Sequence, residues 1–377
     1  QARRQLVVAG DRAFFPATNG IDGMQLWVTA EPGTTASPLL EVCPYLDCFY
    51  EYWIYAVGSQ VFFLNSDTEH GTEVWTSDGR LSGTHLLHDA CPGTCTGSGS
   101  VLASSTGRLV YSGSSGDPYT PTVFVATAPW TTALSLFDAV RGAPLLDLYG
   151  NVSGADDGSH IYVSARDPFS SLEPWVSSGS AASTLQLAEI YGPQDTGSFP
   201  RGFAANDGTV AFMADDDHYD DPPFWLTEGT AASTRLADAA GGVCAQSSLP
   251  IQPLGSRFVT PGCGGQILVI DPGTNQVAAI STGDCWNAID LGVVDQTMAA
   301  LLQCESSTQI WRSDGTVAGT ARALTFADGF HVNSPLSLVN GRLLLAGGST
   351  SSRLYVLSAT MSSLLALTEP GVHPESV

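Results

Sequence analysis

The sequence contains no lysine: its 14 basic residues are all arginine, against 37 aspartates and glutamates, for a formal charge of −23. A field of that sign repels a phosphate backbone and an anionic bilayer surface, which argues against nucleic acid or lipid headgroups as partners. No apolar run reaches the roughly 18 residues that insert across a bilayer. Charged residues are only 14% and hydrophobic ones 43%, so the chain can build a large core and lacks the composition of a disordered one. A G-x-S-x-G elbow, an H-E-x-x-H pair and a phosphate-binding glycine loop are also missing, so no enzyme signature stands out.

What is present begins with cysteine. Eight of them fall into local pairs, Cys43/Cys48, Cys91/Cys95, Cys244/Cys263 and Cys285/Cys304, the last two with the same separation of 19. The segments CPYLDC and CPGTC also have the form of zinc half-sites, but His88 is the one histidine near either. Disulfides are the expectation, and with them an oxidising compartment, extracellular or at the cell surface, any signal peptide having been removed.

The dominant feature is repetition. EVWTSDGRLSGT (73–84) returns as QIWRSDGTVAGT (309–320), and related phrases surround Trp27, Trp175 and Trp225, with weaker echoes at Phe124, Leu268 and Tyr355. The eight anchors, Trp27, Trp75, Phe124, Trp175, Trp225, Leu268, Trp311 and Tyr355, are spaced by 48, 49, 51, 50, 43, 43 and 44 residues. Each unit holds four short apolar, β-branched runs separated by Gly, Asp, Asn and Ser. Four strands at this period predict one all-β domain, a β-propeller of eight four-stranded blades and 32 strands. The blades fall near 4–45, 51–91, 100–140, 150–190, 201–241, 250–283, 287–325 and 334–370. Seven blades plus an irregular unit is the alternative.

Consecutive apolar residues such as Phe62-Phe63 and Phe224-Trp225 need strands buried on both faces. Each anchor ring is expected to wedge between neighbouring blades. Asp78-Gly79 and Asp314-Gly315 suit tight reversals, the aspartate accepting backbone hydrogen bonds and the glycine taking positive φ. The aspartate becomes Ser178 and Glu228 in other units, a tolerance that suits a turn better than a metal ligand.

Trp-x-Ser-Asp-Gly-Thr followed by Gly-Thr resembles the ELWxxDGTxxGT repeats of large secreted bacterial proteins. The likeness is closest at Trp75–Thr84 and Trp311–Thr320, fair at Trp27, Trp175 and Trp225, and degenerate elsewhere. It implies propeller blades and supplies no catalytic residues.

Loops between second and third strands share an end of the blade with the connections to the next blade, and irregular chemistry gathers there. The acidic loop ADDDHYDDPP is read as a solvated loop, with Asp215, Asp216, Asp217, Asp220 and Asp221 as candidate calcium ligands that lack the EF-hand spacing. NSDTEHGTE (65–73) is a smaller relative. Tyr45, Phe49, Tyr50, Tyr119, Trp130, Phe169, Tyr191 and Trp286 are loop aromatics suited to stacking on sugars or anchoring a protein, or, for any single one, to burial under the loops. The expectation is a non-catalytic scaffold, adhesion or assembly module that recognises a protein or glycan. The alternative is a secreted hydrolase or lyase with a calcium-supported site at the propeller channel.

Overall fold

A computed structural model describes residues 7–17, 24–29, 36–43, 53–105, 107–114, 121–136, 154–165, 172–192, 197–216, 222–239, 243–246, 249–326, 329–332, 336–339, 341–348 and 353–367. Eight separate sheets form in chain order, each running first to fourth strand with neighbours antiparallel: an all-β, eight-bladed β-propeller of four-stranded blades. Seven blades plus an irregular unit is therefore not the architecture.

The chain divides into two compact units, Gln1–Gly197 and Ser198–Glu375. The first holds blades 1 to 4. Blade 1 comprises Val7–Ala9, Arg12–Ala17, Met24–Thr29 and Ala36–Cys43; blade 2 comprises Ile54–Val57, Gln60–Asp67, Gly71–Ser77 and His85–His88. Blade 3 follows with Ser98–Ser105, Arg108–Ser114, Pro121–Thr127 and Ala133–Ser135, and blade 4 with Gly154–Asp156, Ile161–Ala165, Glu173–Ser177 and Leu185–Gln186.

The second unit holds blade 5 (Arg201–Asn206, Thr209–Met213, Phe224–Thr227, Arg235–Leu236) and blade 6 (Gln252–Leu254, Arg257–Pro261, Ile267–Asp271, Gln276–Ile280). Blade 7 is Cys285–Val294, Thr297–Cys304, Thr308–Ser313 and Ala321–Thr325; blade 8 ends with Arg342–Gly348, Arg353–Leu357 and Leu364–Ala366.

Two departures bring the strands to 34 among the described residues. The two-residue fourth strand of blade 5 is followed at once by Asp238–Ala239, which pairs in parallel with Gln276–Ile280 and covers the outer edge of blade 6. An uncovered edge strand leaves backbone groups unpaired, and the connecting segment satisfies them. In blade 8 the first strand is in two pieces, His331–Val332 and Ser337–Val339, both paired with Arg342–Gly348.

Every anchor lies in the third strand of its blade. Where a blade follows another in the same unit, its anchor joins the core shared with the preceding blade. Trp75 packs with Leu26 and Phe63, Phe124 with Phe62 and Tyr111, Trp175 with Val110 and Val163, and Leu268 with Phe224 and Phe258. Trp311 and Tyr355 do the same in blades 7 and 8. The intervening residues pack the other way: Phe62 belongs to the core with blade 3 and Phe63 to the core with blade 1. This two-sided burial is why the strands carry apolar runs instead of alternation.

Candidate functional site

At the turn between third and fourth strands, polar chemistry is consumed by the backbone. A hydroxyl two residues past the anchor pairs with a threonine seven residues on: Ser77–Thr84 at 2.7 Å, Ser177–Thr184 at 2.9 Å, Thr227–Thr234 at 2.9 Å and Ser313–Thr320 at 2.6 Å. The same hydroxyl accepts from the following glycine N–H, as Gly79 to Ser77 (2.9 Å) and Gly315 to Ser313 (3.0 Å). Gly79 and Gly315 have φ of 85° and 84°, a region costly for residues with a Cβ. Asp78 accepts from the Arg80 N–H (2.9 Å), and Asp314 from the Thr316 N–H (2.9 Å) and hydroxyl (2.7 Å). Hydrogen bonds from Thr316 hold the Asp314 carboxyl below its ordinary pKa. Arginines at the start of the second strand reach these turns from the preceding blade: Arg12 donates to the Gly79 carbonyl (2.5 Å) and Arg257 to the Gly315 carbonyl (3.4 Å).

The opposite end of the blades holds a feature that the repeat reading missed. Glu73 and Glu173, each two residues before its anchor, are buried, with 1% and 0% of their surface exposed. Glu73 accepts from the Cys91 N–H (3.1 Å), and Glu173 from the N–H groups of Ile190 (3.0 Å) and Tyr191 (3.1 Å). Each carboxylate thus holds the chain as it leaves its blade. Burial pushes the Glu73 carboxyl up to about 7, against the lowering effect of hydrogen bonds from Cys91 and Ala90. A Cβ on Gly97 would stand 2.1 Å from Glu73 Oε1, so the loop closes over the carboxyl only as glycine. The available signal was a glutamate at one offset in two repeats, each followed 24 residues later by a glycine, Gly97 and Gly197.

Among the candidate calcium ligands, Asp215 is paired with Arg201 (3.1 Å), and Asp216 follows in a half-buried bend. Asp217, Asp220 and Asp221 lie outside the described residues. In the smaller acidic loop, Asp67 accepts from the N–H groups of Glu69 (2.8 Å) and His70 (2.6 Å) and pairs with His70 Nδ1 (3.0 Å). Burial works to raise the Asp67 carboxyl and is outweighed by those bonds, so it is lowered; the bond to Asp67 raises His70. Among the described residues, one trio of metal-ligating side chains converges, Asp284, Cys285 and Cys304, and its sulfurs are joined in a disulfide.

Three disulfides are present among the described residues: Cys91–Cys95, Cys244–Cys263 and Cys285–Cys304. Such bonds belong to an oxidising, extracytoplasmic compartment. Cys91–Cys95 closes a small ring between blades 2 and 3. Cys285 opens the first strand of blade 7, earlier than the expected boundary, and is paired in register with Cys304. The bridge therefore ties two strands of one blade, because the strand extends back through a bulge to reach Cys304. The Cys48 residue and the Cys43 side chain lie outside the described residues.

Of the loop aromatics, Trp130 is buried and lies at the other end of the blade from the one expected. It sits in the turn after the third strand of blade 3, at the Asp-Gly end, buried edge-on against Phe62 with ring centroids 4.8 Å apart. Its backbone N–H closes the turn onto the Thr127 carbonyl (2.9 Å), and the indole lies in the core between blades 2 and 3. Tyr191 is half-buried. Tyr45, Phe49, Tyr50, Tyr119 and Phe169 lie outside the described residues. Trp286 is different: 59% of it is exposed, immediately after the bridged Cys285. Exposed Asp284 and Glu305 flank that bridge, joined by a backbone bond of 3.2 Å, and Asn287 follows. A concavity of about 500 Å³ lies at the opposite end of blades 7 and 8, where Asp295, Arg342, Leu343, Ser358 and Met361 line it.

No protein-family model and no curated protein matches the sequence. Solved structures do. A prolyl endopeptidase from a study of inter-domain dynamics in catalysis aligns over 95% of this chain at a TM-score of 0.50 and 10% identity. This chain spans 54% of that protein's length. The computationally designed Ika8 protein aligns at 0.51 and 13% identity, covering 94% of this chain and 96% of its own. Apo AztD from Citrobacter koseri aligns at 0.51 and 12% identity, covering 94% and 93%. At these identities the likeness is one of fold, and the fold shared is the β-propeller.

Proposed function

We propose that this protein is a secreted or cell-surface, non-catalytic β-propeller that recognises a glycan through the loop end of blade 7. The observation that carries this reading is Trp286, an exposed indole on a strand pinned by the Cys285–Cys304 bridge. A flat apolar ring with two rotatable side-chain bonds on a pinned strand loses little entropy on binding and stacks well on the C–H face of a sugar. Carboxylates of Asp284 and Glu305 at the same strand end are acceptors for sugar hydroxyls. The charge of −23 favours a neutral sugar over a sulfated or phosphorylated one. The resemblance to secreted ELWxxDGTxxGT repeats agrees with an adhesion or assembly role.

Binding to an array of neutral and anionic glycans, repeated with Trp286→Ala, tests it. Retention of a neutral glycan is expected, weakened at least tenfold (about 1.4 kcal/mol) by the substitution while the far-UV spectrum is unchanged. No glycan bound, or undiminished binding by the variant, rejects the reading.

A further inference from the structure

We infer that the concavity between blades 7 and 8 binds arginine, free or as the C-terminal residue of a peptide. Asp295 and the Ala359 carbonyl take its guanidinium, and Arg342 takes its carboxylate. At every other neighbouring pair within a unit, a long side chain bridges this end of the blades. Arg12 donates to the Gly79 carbonyl (2.5 Å) and Arg257 to the Gly315 carbonyl (3.4 Å). Arg108 Nε donates to Asp156 of blade 4 (2.7 Å), and Arg235 to Asn275 (3.1 Å) and the Pro272 carbonyl (3.4 Å) of blade 6. Between blades 2 and 3 the Trp130 indole packs across onto Phe62. Blade 7 instead opens its second strand with Thr297, which pairs with Val294 as Arg12 pairs with Ala9 and Arg257 with Leu254. A threonine ends at its γ atoms and is too short to cross. The gap it leaves is the concavity of about 500 Å³, within the size range of small-ligand sites.

The groups that would receive such a side chain are in place. Ala359 lines the concavity four residues past its anchor, as Gly79 and Gly315 stand past theirs, and no described residue donates to its carbonyl. Asp295 and Arg342 line the same concavity, and neither forms a hydrogen bond or ion pair with any described residue, including each other. Leu343, Val356, Leu357 and Met361 are buried and supply an apolar wall.

Two opposite charges that line one concavity without meeting each other suit a ligand that carries both. A guanidinium donates to a carboxylate and a carbonyl at once, the same two kinds of acceptor that Arg257 uses in Asp271 (3.0 Å) and Gly315. The methylene stem behind it lies against Leu343, Val356 and Met361. An α-carboxylate, present in free arginine and at the end of a chain, pairs with the Arg342 fork. The charge of −23 repels a simple carboxylic acid and attracts a ligand with a guanidinium. The site lies at the other end of blade 7 from Trp286 and does not depend on glycan binding.

The test is calorimetric titration of the full chain with L-arginine, acetyl-Gly-Gly-Arg, the C-terminal amide of each, and L-citrulline, which lacks the charged guanidinium. L-Arginine or the peptide is expected to bind, and the tighter of the two identifies the source as a free amino acid or a chain end. Citrulline and the amides are expected to bind at least about tenfold more weakly, although the protein's field favours the amides. Asp295→Asn and Arg342→Gln are each expected to weaken binding about tenfold with the near-UV spectrum retained. Thr297→Arg, which supplies the side chain found at this place in blades 1 and 6, is expected to abolish it. No binding of either ligand, citrulline binding as tightly as arginine, or undiminished binding by Asp295→Asn overturns the site. Amides that bind as tightly as the acids overturn the role of Arg342, whether or not the variants fold.

Discussion

Blades 2 and 7 close the turn between third and fourth strands with an aspartate, and blades 4 and 5 close the same turn with a serine five residues further on. In the first pair, Asp78 and Asp314 accept the N–H two residues ahead. In the second pair, Ser183 accepts from Ser178 (3.2 Å) and Ser180 (3.3 Å), and Ser233 from Glu228 (3.0 Å) and Thr230 (3.2 Å). The position that carries serine in blades 4 and 5 is Gly83 or Gly319 in blades 2 and 7. A Cβ there would stand 2.3 Å from Asp78 Oδ1 or 2.1 Å from Asp314 Oδ1. The two solutions exclude each other sterically. What looks in one repeat like a tolerated substitution is a pair of changes that must travel together.

The comparison breaks most visibly at Gly83. Gly83→Ala is expected to evict the Asp78 carboxylate and cost about 3 kcal/mol in chemical denaturation. Converting blade 2 to the serine solution with Asp78→Ser and Gly83→Ser together is expected to recover most of that. A double variant no better than Gly83→Ala shows that the two turns are not interchangeable.

A smaller effect sharpens the contrast between blades 2 and 7, which share the turn but differ two residues before the anchor. Glu73 holds the outgoing chain, whereas Gln309 accepts from the Trp311 indole N–H (3.0 Å). Because the Glu73 carboxyl titrates near 7 when folded and near 4.5 as its ordinary value, the native state binds the extra proton. Its contribution is therefore full below pH 4.5 and lost as pH rises through about 7. Glu73→Gln is expected to remove that loss, so that its stability relative to wild type improves by about 2 kcal/mol between pH 4.5 and pH 8. A pH-independent difference in thermal melting contradicts the assignment. The smallest effect is Ser183→Ala in blade 4, expected to cost about 1 kcal/mol by leaving two N–H groups without their acceptor. No change in melting would mean that solvent replaces the hydroxyl.

Much of the fold was legible because its signals are local. Ser77, Asp78, Gly79 and Thr84 lie within eight residues and bond within that span, so the phrase declares a turn between two strands by itself. The buried roles of Glu73 and Glu173 were not legible in that way. Their partners, Cys91, Ile190 and Tyr191, come 17 or 18 residues later, after another strand has been laid down. Trp130 and Trp286 look alike as loop tryptophans, yet one packs on Phe62 and the other faces solvent.

Period, turn chemistry and apolar runs by themselves determined eight four-stranded blades and the place of every anchor in a third strand, since these depend on contiguous residues. Tertiary structure alone decided which carboxylates are buried, which tryptophan is exposed, and that Asp238–Ala239 pairs with the next blade. Those outcomes depend on what a distant segment places opposite a residue, and no local pattern carries that information.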